Sequence, residues 1–78
     1  MTIDFKKKEV YLKDVITIQE VDGLLEWLLE NPKTTINLAD CTHIHLAALQ
    51  TLVSAKRKVS TWPQDKTLKR WIQPLLEN

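Results

Sequence analysis

Along this 78-residue chain the apolar period changes from two to between three and four and back again, which restricts the fold more than any other feature. Ile3 and Phe5 alternate with polar neighbours, as do Val10 and Leu12, with Lys6, Lys7 and Lys8 between them. Period-two alternation around a short charged connection predicts a β-hairpin with one covered face and the lysines in a solvated turn. Thr17 and Glu20 have capping-box spacing, a hydroxyl to cap a first turn and a carboxylate to reach back. Behind them Ile18, Val21, Leu24, Leu25 and Leu28 recur at helical spacing, which predicts a core-facing helix to about Glu30. Pro32 ends it, because proline disfavours helical geometry in the residue before it. Trp27, about 120° from the centre of that stripe at helical spacing, is expected to flank the core; exposed, it would be an interface anchor.

The β-branched run at residues 34–38 (TTINL) predicts a central strand. Residues 39–45 (ADCTHIH) are read as the connection out of it, and residues 46–59 as a second helix. Its core face is Ala48, Leu49, Leu52, Ala55 and Val59; Leu46, Ala47, Gln50, Ser54 and Arg57 fall opposite. Lys56, Arg57 and Lys58 are placed in its last turn, where positive charge complements the helix dipole. Residues 59–62 read as a last short strand, and Asp65 opens a third helix with Leu68, Trp71, Ile72 and Leu75 on one face. Pro74 is expected to kink that helix or begin a new turn. The order β-β-α-β-α-β-α predicts an α/β fold: a small mixed sheet of about four strands with three helices packed mainly on one face.

A chain of this length is expected to be one domain, residues 1–78, burying ~60–65% of its unfolded surface and leaving little room for an enclosed pocket. Net charge is +1, so no global field draws it to nucleic acid or an anionic membrane. The start, MTIDFKKKEV, has no apolar run behind its charges and does not read as a signal peptide; no run is long enough to span a bilayer. Cys41 stands alone, which excludes an internal disulfide, fits a reducing, cytoplasmic setting and predicts a small buried hydrophobe.

No catalytic constellation is legible. The one glycine, Gly23, lies inside the first helix, so no phosphate loop exists, and no nucleophile has an evident base. His43 and His45 are two apart and in extended backbone would face one side; a structural zinc needs four ligands, and only Cys41 is near. No metal or cofactor is expected.

Residues 36–53, INLADCTHIHLAALQTLV, resemble the signature of STAS domains, the fold of anti-sigma-factor antagonists and of sulfate-transporter tails. In that family an apolar-polar-apolar strand leads through a short loop into Asp-Ser-Ser/Ala-Gly-Leu and a helix. Ile36, Asn37 and Leu38 match the strand and Leu49 the leucine, and His45, Leu46, Ala47 and Ala48 occupy the Asp, Ser, Ser/Ala and Gly positions. The hairpin, capped helix and closing helix follow the family's order over nearly the whole chain. In the antagonists the first serine is phosphorylated by the partner kinase, and about −2 charge at a helix start switches binding off. Leu46 has no hydroxyl, so that switch has no acceptor here; Thr42 and Thr51 are the nearby hydroxyls to which it could have moved.

The resemblance implies a non-catalytic protein-binding adaptor of bacterial signalling, docking through Thr42, His43, His45, Leu46, Ala47 and Gln50, as a monomer or weak homodimer. The alternatives are a small cytosolic subunit bound to the ATPase of a phospholipid transporter, or a nucleotide or small-molecule sensor.

Overall fold

The computed structural model describes residues 3–77. In chain order the elements are β1 (Ile3–Phe5), β2 (Glu9–Leu12), β3 (Asp14–Ile16), a 3-10 turn (Ile18–Glu20), α1 (Val21–Glu30), β4 (Thr35–Asn37), β5 (Cys41–Ile44), α2 (Leu46–Ala55), β6 (Val59–Thr61) and α3 (Lys66–Leu76). The fold is α/β, with a mixed four-stranded sheet in the order β1-β2-β4-β6 and a separate two-stranded sheet, β3 with β5.

The expected hairpin forms, with Ile3 opposite Leu12 and Phe5 opposite Val10. The lysine turn closes by Lys6 N–H donating to Glu9 O at 2.9 Å. β4 runs parallel to β2, and β6 parallel to β4. Stepping from β2 to β4 to β6 in one direction puts the crossover helices α1 and α2 on the same face of the sheet, given right-handed crossovers. α2 packs against both α1 and α3. Between the layers lie Val10, Leu12, Ile36 and Leu38 from the sheet side and Leu24, Leu28, Leu49, Leu52, Leu68 and Ile72 from the helices, all buried. Each such side chain contributes roughly 1.5–3 kcal/mol by leaving water.

The opposite sheet face is polar. Asn37 Nδ2 donates to Thr61 Oγ1 at 3.2 Å, and the Ser60 hydroxyl donates to the Glu9 carboxylate. Hydrogen bonds led by Ser60, then Tyr11, hold the Glu9 carboxyl below its usual range; Tyr11 is raised in return by its bond to Glu9.

Several expectations are corrected. The strand β5 falls where the sequence reads as connection, and β3 in a stretch to which the sequence reading assigns no element. In β5 the exposed residues Thr42 and His43 are adjacent, because the ladder to β3 shifts register between Asp14 and Val15. A bulge of this kind erases the period-two signal. α2 ends at Ala55, where Lys56 takes a left-handed conformation (φ 55°, ψ 38°), so Val59 belongs to β6 and not to the helix's core stripe. Arg57 is not on the outward face. Its Nη1 donates to Ala55 O at 2.5 Å and its Nη2 to Leu28 O at 2.7 Å, tying the C-terminal ends of α1 and α2 together. Ile18 and Leu25, placed in the core stripe by spacing, are exposed, as are Trp71 and Leu75 on α3. One sheet and one helical layer bury only the innermost residues of each stripe. Trp27 does flank the core, its ring 5.0 Å from that of Phe5. α3 continues through Pro74; Arg70, whose carbonyl loses its donor, and Pro74 are both exposed, so that carbonyl is open to solvent.

Two outcomes follow from these contacts. Arg57→Met, which keeps an apolar stem but removes the guanidinium from both helix-end carbonyls and leaves Leu28 O with only the Asn31 N–H, should lower unfolding free energy by about 1.5–3 kcal/mol in urea titration, whereas Lys56→Met should be near neutral. Glu9 has a lowered folded-state value, so its stabilisation is present above the ordinary carboxylate range and is lost as pH falls through it. Ser60→Ala should therefore reduce the loss of stability on acidification through that range and leave the trend from neutral to mildly alkaline pH unchanged.

Candidate docking site

The site is built where β5 turns into α2. Buried Cys41 and Ile44 pin the two ends of β5 into the core, so the residues between them, Thr42 and His43, are left outside. Asp14 starts β3 with a positive φ of 56°, a conformation uncommon outside glycine that Asp and Asn tolerate better than most residues. Its N–H donates to Asp40 O at 2.8 Å, and its carbonyl accepts from the Thr42 hydroxyl at 3.1 Å. Beyond the strand, His45 N–H donates to Ile16 O at 2.8 Å, which fixes where the chain leaves the small sheet.

His45 is the N-cap of α2. Its extended backbone (φ −65°, ψ 144°) and its Nδ1, which accepts from Ala47 N–H at 3.0 Å, satisfy one of the helix's free amides. That role engages the imidazole's Nδ1 with its own helix. Among the described residues no group of three or more His, Cys, Asp or Glu is placed to hold a metal ion. Burial pushes the Cys41 thiol up to about 11, which favours the protonated form at neutral pH.

Leu46 follows the cap as the first residue of α2 and is 59% exposed. Ala47 is half-buried and Gln50, one turn on, is exposed. Ala48 and Leu49 face inward and are buried, which places a small residue where α2 enters the core. The six residues singled out from the sequence thus do come together, on one strand end and one helix start. The two nearby threonines separate: Thr42 is exposed, while Thr51 is buried and donates its hydroxyl to Ala47 O at 3.0 Å. A phosphate on Thr51 would have to enter the packed side of α2, so only Thr42 offers an accessible hydroxyl.

None of the six site residues bears a fixed charge, and the surface combines an isolated leucine with hydroxyl, imidazole and amide groups. Such a surface can contact another protein. Sequence reading missed the pairing partner, β3, whose Val15 lies opposite His43 and is itself exposed. The run Asp14, Val15, Ile16 is too short for its alternation to stand out. Among the described residues no helix is long and apolar enough to cross a membrane.

Compared with protein-family models, with curated proteins and with solved structures, the chain matches none.

The cap can be separated from the surface by substitution. His45→Ala should cost about 1 kcal/mol of stability through loss of the N-cap, and His45→Asp should retain or exceed wild-type stability, both read from thermal unfolding.

Proposed function

We propose that this chain is a non-catalytic, STAS-like protein-binding domain that acts as a regulatory adaptor of the anti-sigma-factor-antagonist kind. It docks through Thr42, His43, His45, Leu46, Ala47 and Gln50. The observation that carries this reading is Leu46: a large apolar side chain, mostly exposed, at the first position of a helix whose cap and strand are otherwise well tied down. Leucine exposed singly is common, but here it stands where the resembled family carries its switchable serine. An apolar contact replaces the hydroxyl, so binding is set by partner concentration and not by a phosphate at this position.

The partner this surface fits is a folded protein with a shallow apolar pocket for Leu46 and hydrogen-bonding groups around it, in keeping with an anchor surrounded by a polar rim. For the partner recovered with the tagged chain from its native host, Leu46→Asp should reduce affinity by about tenfold or more, since a carboxylate must be desolvated against an apolar pocket. Val53→Asp, seven residues further along α2 and also exposed, should leave affinity within about twofold. Unchanged binding by Leu46→Asp, measured by calorimetry, would remove the surface; a partner that binds only a Thr42-phosphorylated chain would remove the unswitched mode.

A further inference from the structure

The outer surface of the helical layer is apolar and divided by charge. Leu25 and Leu29 of α1, Leu46 and Val53 of α2, and Trp71 and Leu75 of α3 are all exposed, Leu29 to 70%. α1 carries Asp22, Glu26 and Glu30 and no basic residue; α3 carries Lys66, Lys69 and Arg70 and no acidic one. α2, packed between them, has no charged residue at all. These six charges are exposed, and none takes part in an ion pair: among the described residues the ion pairs are those of Asp4 with Lys6 and Lys13. The layer therefore reads acidic, neutral and basic across its width, with unpartnered apolar side chains along it.

That pattern is self-complementary under one symmetry operation. A two-fold axis lying in the face and parallel to α2 exchanges the two sides, laying the acidic α1 of one copy over the basic α3 of the other. A two-fold axis across the helices instead sets α1 on α1 and α3 on α3, with like charges opposed. We propose that this helical face is an isologous interface between two copies of the chain, with α2 beside α2 and each α1 covering the partner's α3. Polar neighbours around the apolar residues and complementary charge along both margins fit a dimer that is specific in register and sensitive to salt. Leu46 lies at one end of this face, so a docked partner and the second copy compete for it. The dimer is measured on the purified chain alone, so its absence would leave the docking reading standing.

Charge reversal tests it. One variant carries Asp22→Lys with Glu26→Lys, a second carries Lys69→Glu with Arg70→Glu, and a third carries all four; every substituted residue is exposed, and the third variant has the wild-type net charge. By sedimentation and native mass spectrometry, wild type should run at twice its 9.1 kDa chain mass, weakening as salt is added. Each two-site variant should lose about tenfold or more in self-affinity, from like charges brought face to face. The two mixed should form a heterodimer, and the four-site variant should recover the homodimer. A wild-type chain that stays monomeric at high micromolar concentration in low salt would overturn the proposal. So would two-site variants that dimerise like wild type, or a four-site variant that stays monomeric.

Discussion

The arrangement at the front of α2 depends on one backbone hydrogen bond, from His45 N–H to Ile16 O. It closes the two-stranded sheet at the residue where β5 ends, and the same residue's side chain then caps the helix through Ala47 N–H. Backbone and imidazole of one histidine thus fix both the position and the start of α2. Cys41 and Ile44 hold the strand from beneath, and the bulge forces Thr42 and His43 outward together. Without that pairing, residues 39–45 would be a loop and the exposure of Leu46 would have no fixed direction. These hydrogen bonds and buried residues hold the surface in one place.

A two-layer α/β domain of this size has one buried interface, between sheet and helices. The free face of the sheet has been made polar, with Ser60, Tyr11 and Asn37 bonded to Glu9 and Asn37 also to Thr61. The free face of the helices has not: large apolar residues remain on all three. That contrast is the reason for proposing interaction on the helical side and not on the sheet. The proposed docking surface at Leu46 and the proposed dimer face would be two uses of the same exposed layer.

The hairpin, the three helices and the central strand were legible because each repeats its apolar residues often enough to display a period. The second sheet was not, since three residues in β3 and a bulged four-residue β5 show no alternation. The outward turn of Ile18, Leu25, Trp71 and Leu75 was hidden for a different reason: helical spacing identifies an apolar face but not how wide a band the packing partner covers. Arg57 was read as a dipole charge on an outer face, whereas the left-handed turn at Lys56 sends its side chain back to two carbonyls. Sequence spacing carries no sign of that turn, because the residue adopting it is a lysine and not a glycine. The site residues themselves were found by alignment to the resembled pattern; their spatial grouping required the unseen pairing of β3 with β5.

The most direct measurement is hydrogen–deuterium exchange on the chain with and without its partner, at saturating concentration. Docking at the β5–α2 junction predicts added protection centred on residues 42–50 and little change in β1, β2 or β6. Protection confined to the polar sheet face, with residues 42–50 exchanging as in the free chain, would contradict the account.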